Sequence, residues 1–340
     1  MVMSEPSLGP LFIVASERSG TNLVRRRITE SQAVYFGPSP IHMLKHLFYR
    51  APYYGDLSND QNFYSLVQDS VALAYEHFSP WDRVISSEDV IEAYDRFMPS
   101  KERTIVGVMH TLYMLYALDR GYSSYICKDN HIFDFAYQIA LELPDARFLI
   151  LYRDPRDVIA SQLKRPSQVR NCSYLSMLWQ TEQKKIIELL ANARLSSRVL
   201  TLKYEEFVSS EASELKRISK FLDVELGNGC DRSFESESTS IQEWENLNNP
   251  TINDNFGKYK DALSFRKIRM IESILKNEMA YLGYKADTPR LLKIRGSYLK
   301  LSSALAVVFH TLKLKFGLLS LTDGEERQVA HIKSLKSKLD

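Results

Sequence analysis

The stretch from Leu11 to Asn22, LFIVASERSGTN, combines an apolar run with a short polar loop. Leu11–Ala15 has the length and apolar character of a buried strand, and the apolar spacing in Leu23–Ser31 is that of a helix. Gly20, between the two, permits a tight turn and the close approach of an anion to the backbone. The amides of residues 19–22 would then point at that anion, with the positive end of the helix dipole behind them. The stretch therefore predicts either a strand–loop–helix anion site or an ordinary turn with a capping Ser or Thr.

The composition is that of an ordinary globular protein. The 340 residues carry 44 Lys and Arg against 42 Asp and Glu, and this net charge of +2 gives no reason to expect nucleic acid as a partner. The 44% hydrophobic and 25% charged contents exclude intrinsic disorder. The three scattered cysteines do not make a disulfide framework or a structural zinc site, so we expect a reducing, cytoplasmic location. Residues 1–10 lack the pattern of a secretory signal, and 301–321, the most apolar stretch, is too interrupted to be a transmembrane helix.

Short apolar runs alternate with helical periodicity along the chain, which is typical of βαβ units and a parallel sheet. Further strands are predicted at 124–127, 148–152 and 199–203. Further helices are predicted at 63–78, 103–118, 134–143, 156–163, 174–193, 213–222 and 265–281. Residues 223–250, rich in Glu, Ser and Asn, predict an irregular surface segment. We expect an α/β fold, a three-layer parallel sheet flanked by helices, in a domain of residues 1–288 that is followed by a C-terminal helical extension at 289–340.

A second candidate anion site follows the strand at 148–152. Arg153 comes directly after this strand, at the edge where ligands bind in open α/β sheets. Its guanidinium can hold a phosphate through two hydrogen bonds, and Ser161, within the next predicted helix, can add a hydroxyl donor. The alternative is a surface ion pair between Arg153 and Asp154.

The first loop differs from that of a nucleotide triphosphatase. A Walker A loop has Lys and then Ser or Thr directly after its last glycine, with Lys on the phosphates and the hydroxyl on magnesium. Here Thr21 follows Gly20, and the basic residue, Arg18, precedes the glycine. These residues suit an anion that is neutralised by side chains without a metal ion.

Together the two segments resemble the PAPS-dependent sulfotransferase family, whose donor is 3′-phosphoadenosine 5′-phosphosulfate (PAPS). The run Arg18–Asn22, RSGTN, is similar to the family's 5′-phosphosulfate loop, (Lys/Arg)-Ser-Gly-Thr-Thr, with Asn22 in place of the second Thr. Arg153 and Ser161 are similar to the Arg and Ser of the family's 3′-phosphate motif, in the same order and each after a strand. The resemblance runs from about residue 11 to residue 284.

Three later segments extend the resemblance. Lys128 is similar to the lysine of the family's Lys-x-Pro segment, although Asn130 stands at the proline position. The segment 202–207, LKYEEF, resembles a strand-end Tyr-Glu segment, and 256–260, FGKYK, resembles a late loop that closes over the nucleotide. The resemblance implies nucleotide contacts for Arg18, Ser19, Gly20, Thr21, Asn22, Arg153, Ser161, Tyr204, Gly257 and Lys258.

The resemblance also implies an activity and a P-loop-like fold. The reaction would move a sulfuryl group from PAPS to a hydroxyl or amine, in line and without a metal ion, and would leave adenosine 3′,5′-bisphosphate (PAP). Arg18 and Lys128 are the implied catalytic cations, since negative charge grows on the oxygen that bridges sulfur and the 5′-phosphate. The acceptor stays open between a small molecule, a carbohydrate and a lipid-linked compound. A P-loop kinase-like phosphotransferase and a non-catalytic nucleotide-binding protein are the alternatives.

The acceptor must lose a proton, so a general base is expected. His42 is the first candidate because it follows the turn 37–40, Gly-Pro-Ser-Pro, and because histidine titrates near neutral pH. A structural histidine is the alternative, and Glu88 and His110 are further candidates for the base. His42 and His46 have the spacing of a metal pair but lack a third ligand nearby.

Two features concern the acceptor or a partner. An acidic tract, Glu235, Glu237, Glu243 and Glu245, either faces a cationic acceptor or is a solvated loop. A predicted helix at 299–321 carries an apolar stripe of Leu301, Leu305, Val308, Leu312, Phe316 and Leu319. This stripe predicts packing on the domain, a homodimer contact, or peripheral contact with a membrane near a lipid-linked acceptor.

Overall fold

The computed structural model contains one parallel sheet with helices on both faces. It describes residues 8–77, 79–98, 102–165, 169–227, 250–292, 296–316, 318–319 and 321–339. The strands are β1 (Leu11–Val14), β2 (Tyr35–Phe36), β3 (Ser124–Cys127), β4 (Arg147–Tyr152) and β5 (Val199–Lys203). They lie in the order β2-β3-β1-β4-β5, and each neighbouring pair is parallel. The chain leaves β1 first toward one edge and later toward the other, which creates a ligand crevice beyond the carboxyl ends of the strands.

Helices surround the sheet in chain order. They are α1 (Thr21–Ser31), α2 (Met43–Leu47), α3 (Asp60–Tyr75), α4 (Ser87–Phe97), α5 (Ile105–Asp119), α6 (Ile132–Glu142), α7 (Pro155–Gln162), α8 (Cys172–Leu190), α9 (Tyr204–Ser209), α10 (Glu211–Leu222), α11 (Tyr259–Ala262), α12 (Phe265–Ile274), α13 (Lys276–Tyr281), α14 (Gly296–Lys315) and α15 (Asp323–Leu339). Shorter 3₁₀ segments span Phe48–Tyr54 and Ser196–Arg198.

The two faces of the sheet carry separate apolar cores because the side chains of a strand alternate between faces. Phe12 and Val14 of β1 belong to the core that includes α3, α5 and α6, whereas Leu11 and Ile13 belong to the core that includes α1 and α10. The rings of Phe12 and Phe148 stack across β1 and β4 at 5.7 Å between centroids. The predicted three-layer α/β architecture is therefore confirmed.

The structure differs from the sequence prediction at several elements. The helix predicted at 265–281 is broken at Leu275 into α12 and α13. The sequence analysis missed β2, which is only two residues long, and it missed α4 and α15. For α4 a signal was present, because Ser86 and Asp89 form a capping box with both of its hydrogen bonds made.

The C-terminal helices lie against the rest of the chain. Helix α14 packs on α8, where Asn171 Nδ2 donates to Ser302 Oγ at 3.3 Å. The division at residue 288 stays a prediction, and the acidic tract of the four glutamates lies outside the described residues. In the part of the chain that the structure describes, no helix has the length and apolar character needed to cross a membrane.

The turn between β1 and α1 brings Gly20 against an aromatic ring. Gly20 has a φ of 95°, in the left-handed region, and a Cβ at this position would overlap the ring of Tyr204. Tyr204 begins α9 directly after β5 and is 2% exposed. Glycine is therefore required here both for the backbone conformation and for the close approach of the ring.

We expect Gly20→Ala to destabilise the protein more than Gly283→Ala does. Gly283 also has a positive φ, of 77°, but a Cβ there would meet nothing within 4 Å. Gly283→Ala should cost about 1–2 kcal/mol from backbone strain alone, and overlap with Tyr204 should add about 1–3 kcal/mol at Gly20. Urea unfolding followed by circular dichroism measures the free energy of unfolding of both variants. An equal loss of stability in the two would contradict the close approach of Tyr204 to Gly20.

Candidate active site

A cavity of about 530 Å³ collects the loops that follow all five strands. Its walls include Arg18 after β1, His42 after β2, Lys128 after β3, Arg153 after β4 and Tyr204 after β5. Parallel strands end at the same edge of a sheet, and this brings side chains from distant parts of the sequence together.

Most of the predicted site residues line this cavity. Those present are Arg18, Gly20, Thr21, Asn22, His42, Lys128, Arg153, Ser161 and Tyr204. Ser19 does not line it: its side chain is buried, and its N–H donates to the carbonyl oxygen of Ser16 at 3.3 Å. The Ser19 amide therefore shapes the turn instead of pointing at a ligand.

The remaining candidates lie outside the cavity walls. Gly257 N–H donates to Asp157 Oδ2 at 2.6 Å, and Lys258 is exposed to solvent. Glu88 is exposed at the start of α4 and accepts a hydrogen bond from Tyr64. His110 packs inside α5, where burial lowers its pKa to about 4.

A hydrogen bond joins the two predicted anion segments. Arg18 Nε donates to Ser161 Oγ at 3.0 Å, across 143 residues of sequence. Arg153 Nη1 lies 3.5 Å from the carbonyl oxygen of Arg18. The loop after β1 and the segment after β4 therefore form one site.

Arg153 is held by an aromatic ring and by the late loop. Its guanidinium carbon lies 4.1 Å from the centroid of Tyr204, which is a cation–π contact. Its Nη2 donates to the carbonyl oxygen of Asn255 at 2.9 Å, and Asn255 Nδ2 donates to the Tyr204 hydroxyl at 2.9 Å.

The alternative pairing of Arg153 with Asp154 is absent, because Asp154 pairs instead with Arg156 at 2.7 Å. The sequence analysis missed Asn255, which lies one residue before the segment that it identified.

Asp157 connects this late loop to α7. It accepts hydrogen bonds from the N–H groups of Gly257 and Tyr259, at 2.6 and 2.8 Å. The loop anchored through Gly257 and Tyr259 places Asn255 against Arg153.

The turn that precedes His42 is held by two side chains of α1 and by Trp81. Gly37 N–H donates to Thr29 Oγ1 at 3.0 Å, and Arg25 donates to the Gly37 carbonyl oxygen. Trp81 Nε1 donates to the carbonyl oxygen of Ser39 at 2.8 Å. The rigid turn expected from the two prolines is therefore reinforced by hydrogen bonds that link it to α1 and to residue 81.

Asp129 anchors the end of the same turn. Its carboxylate accepts the N–H groups of Ile41 and Met43, both at 3.1 Å, and the Tyr113 hydroxyl at 2.9 Å. A buried carboxylate is costly unless it is hydrogen-bonded, and these three donors meet that need. Asp129 thereby fixes the backbone on both sides of His42 next to Lys128.

Asn130 connects three of the loops that line the cavity. Its N–H donates to His42 Nδ1 at 3.0 Å, and its Nδ2 donates to Glu17 Oε1 at 2.6 Å. The residue at the proline position of the resemblance thus links the loops after β1, β2 and β3. Glu17, which the sequence analysis did not single out, lines the cavity with it.

His42 is neutral in this environment. Burial lowers its pKa well below the ordinary value, and the nearby positive charge of Lys128 lowers the pKa further. Since Nδ1 accepts the Asn130 N–H, the proton of the neutral ring lies on Nε2. In this state Nε2 carries a proton and has no free electron pair, so a base role at Nε2 requires the Asn130 contact to change.

Two of the candidate catalytic residues have unusual backbone conformations. Arg18 and His42 have φ values of 72° and 56°, in the left-handed region that side chains other than glycine rarely adopt. Such conformations persist where the surrounding structure imposes them, and they cluster at functional sites.

The charges of the cavity suit an anionic ligand. Lys45 and Arg165 line it beside the predicted cations Arg18, Lys128 and Arg153, whereas its acidic lining residues are Glu17 and Glu325. Lys45 lies in α2, three residues beyond His42, and Arg165 lies three residues beyond the end of α7. Among the described residues, no three His, Cys, Asp or Glu side chains are grouped so as to hold a metal ion.

Comparisons with known proteins agree with this arrangement. The family model described as "Sulfotransferase family" matches residues 10–228, more than half of the chain. A sulfotransferase domain from the curacin biosynthetic pathway has a TM-score of 0.53 at 15% identity, and the match covers 82% of this chain and 98% of that domain.

Looser structural matches have TM-scores of 0.43. The sulfotransferase domain of the Synechococcus PCC 7002 olefin synthase is 17% identical, with 90% of this chain and 96% of that one covered. Mouse sulfotransferase SULT7A1, solved with PAP, is 13% identical, with 82% and 91% covered. No curated protein sequence matches this chain. The extent of the family match and the parallel fold agree, and the chain belongs to the sulfotransferase family.

Proposed function

We propose that this chain transfers a sulfuryl group from PAPS to a hydroxyl or amine of its acceptor, in line and without a metal ion. The observation that carries the proposal is the hydrogen bond between Arg18 and Ser161, which unites the two anion segments in one cavity. A parallel sheet with an anion-binding loop would also suit a kinase. The family match favours sulfuryl transfer, and so does the absence of Lys after Gly20.

The polar groups of the cavity fit the anionic ends of this donor. Arg153 Nε is buried without a hydrogen-bond partner in the described protein, and a buried donor of this kind is typical of a site built for an anionic ligand. The amides at the start of α1, with Arg18 and Lys128, would hold the 5′-phosphosulfate. Arg153 and Ser161 would hold the 3′-phosphate.

The reaction breaks one bond to sulfur and forms another. The bond between sulfur and the oxygen of the 5′-phosphate breaks, and its electron pair leaves with PAP. The acceptor oxygen or nitrogen forms the new bond to sulfur and gives its proton to a base. Arg18 and Lys128 stabilise the charge that grows on the leaving oxygen. The reducing, cytoplasmic location that the cysteine usage predicts is compatible with this reaction and stays a prediction.

Two groups compete for the role of base. His42 lines the cavity beside Lys128, as the sequence analysis requires, but Asn130 occupies its Nδ1. Glu17 is a carboxylate in the same wall and accepts a hydrogen bond from Asn130. We keep His42 as the catalytic residue and leave the proton-accepting role to be decided between these two.

We expect Arg153→Ala to raise the Kd for PAP at least about tenfold, because a charged hydrogen bond contributes roughly 1.5–3 kcal/mol. Arg266→Ala, at an exposed arginine of α12, is the control and should not change it. Titration calorimetry with PAP measures both. Unchanged affinity in Arg153→Ala would remove the basis of the nucleotide site. Magnesium-dependent transfer of a labelled phosphoryl group from ATP, without transfer from labelled PAPS, would favour the kinase instead.

We expect His42→Gln to lower kcat and to leave the Kd for PAP unchanged, and the loss in kcat should reach about 10²–10⁴-fold if His42 is the base. Glutamine keeps an oxygen that can accept the Asn130 N–H. The pH–rate profiles of His42→Gln and Glu17→Gln then identify the base. If His42 is the base, the acidic limb of the pH–rate profile disappears in His42→Gln. If Glu17 is the base, this limb disappears in Glu17→Gln and remains in His42→Gln. A normal kcat in His42→Gln would contradict a catalytic role for His42.

We further propose that α14 places its apolar face on an anionic lipid surface. The helix packs on α8 through small polar residues, and Ser303 is 9% exposed. The stripe predicted from sequence points away from the protein instead: Leu301 is 62% exposed and Phe316 67%. A large exposed apolar face marks an interaction site.

The charges on α14 favour lipid over a second copy of the chain. Residues 296–315 contain Lys300, Lys313 and Lys315 and no acidic residue. Two copies of this helix face to face would bring lysines near lysines, whereas anionic headgroups would neutralise them.

We expect the protein to sediment with phosphatidylcholine vesicles that contain phosphatidylglycerol and to bind vesicles without it more weakly. Phe309→Asp, at a residue 63% exposed on α14, should weaken binding at least about tenfold through lost apolar burial. Phe265→Asp, 62% exposed on α12, is the control. Absence of vesicle binding would overturn the proposal, and so would a concentration-dependent dimer that Phe309→Asp abolishes.

A further inference from the structure

One wall of the cavity comes from the C-terminal helices, beyond the residues 10–228 of the family match. Leu314 lies near the end of α14 and Leu321 just before α15. Helix α15 contributes Glu325, Gln328, Val329 and Ile332. Gln328 and Val329 lie three and four residues after Glu325, and Ile332 lies four and three residues after them, so one face of α15 is turned toward the cavity.

Helix α15 is anchored one turn beyond this face. Leu335 is 4% exposed and belongs to the apolar core that includes α3, α5 and α6. Lys338 Nζ lies 2.9 Å from Asp69 Oδ2, and the same carboxylate accepts the Tyr54 hydroxyl at 2.7 Å. An apolar contact and an ion pair on successive turns hold the wall in place against α3 and the segment 48–54.

The cavity therefore has two chemically different sides. The loops after the strands supply cations, whereas the C-terminal wall is mainly apolar, through Leu314, Leu321, Val329 and Ile332. Val329 is 50% exposed and Leu314 42%, so apolar surface at the cavity remains in contact with solvent. Such surface gains free energy when an apolar ligand covers it.

We propose that this wall is an acceptor subsite for the alkyl or ring body of an amphiphilic alcohol. The proposal rests on the proposed sulfuryl transfer, since it names the class of acceptor. The hydroxyl would face His42 and Lys128, and the apolar body would lie along α15. A carbohydrate would need many hydrogen-bonding partners, whereas the α15 face offers Glu325 and Gln328.

The test uses 1-butanol, 1-hexanol and 1-octanol as probes. Each is titrated into the full chain with and without PAP. Each added methylene should lower the Kd of the alkanol by at most about fourfold, the factor expected if that methylene is completely buried. Val329→Asp should abolish this dependence on chain length. Ala330→Asp, exposed on the neighbouring position of α15 and absent from the cavity wall, is the matched control.

The outcomes separate the subsite from the proposed reaction. A chain-length dependence that survives in Val329→Asp, or is absent from the unmodified chain, overturns the subsite. If Val329→Asp unfolds, Ile332→Ala replaces it. This variant should weaken the dependence of alkanol affinity on chain length, and its thermal midpoint of unfolding shows whether it is folded. The Kd for PAP should be the same in all variants. Alkanol binding without PAP binding would refute the proposed sulfuryl transfer and leave the apolar subsite standing.

Discussion

The hydrogen bond from Arg18 to Ser161 is the contact on which the geometry of the cavity depends. A parallel sheet brings the carboxyl ends of its strands to one edge, but it does not by itself place one loop against another. The loop after β1 and helix α7 meet because the Arg18 side chain reaches the Ser161 hydroxyl at 3.0 Å. The same loop accepts Tyr204 only because Gly20 has no Cβ. Arg153, in turn, lies over the ring of Tyr204. The turn that contains Gly20 therefore positions the ends of β1, β4 and β5.

Behind the cavity, buried polar groups hold the loop that carries His42. Burying Asp129 is tolerable because three donors satisfy its oxygens, and these donors lie on both sides of His42 and on α5. Burial has a second effect on the histidine, whose pKa falls while neighbouring positive charge lowers it further. The site thus combines fixed cations with a neutral imidazole whose hydrogen-bonding state is set by Asn130.

The C-terminal helices change the character of the cavity. Without α15 the site would be a polar cleft at the sheet edge, and with it one wall is apolar. Helix α14 is built the opposite way to a buried amphipathic helix, since small polar residues face the protein and large apolar residues face outward. Leu314 of α14 lines the cavity beside α15, on the side of α14 that carries the buried Ser303 and opposite the exposed stripe.

The sequence by itself determined the parallel α/β class, the strands at 124–127 and 199–203, and nine of the residues that line the cavity. The fold class and the strands depend on local periodicity, and Gly20 and Arg153 were found from their positions after strands. Lys128 and Tyr204 were found from the resemblance of short segments to the motifs of the family. Only the tertiary structure decided that Asn255 holds Arg153, that Asn130 occupies His42 Nδ1 and that α15 walls the cavity. The outward direction of the α14 stripe was likewise decided there. The reason is that each of these contacts joins residues far apart in sequence, and a periodic pattern shows that a face is apolar without showing what covers it.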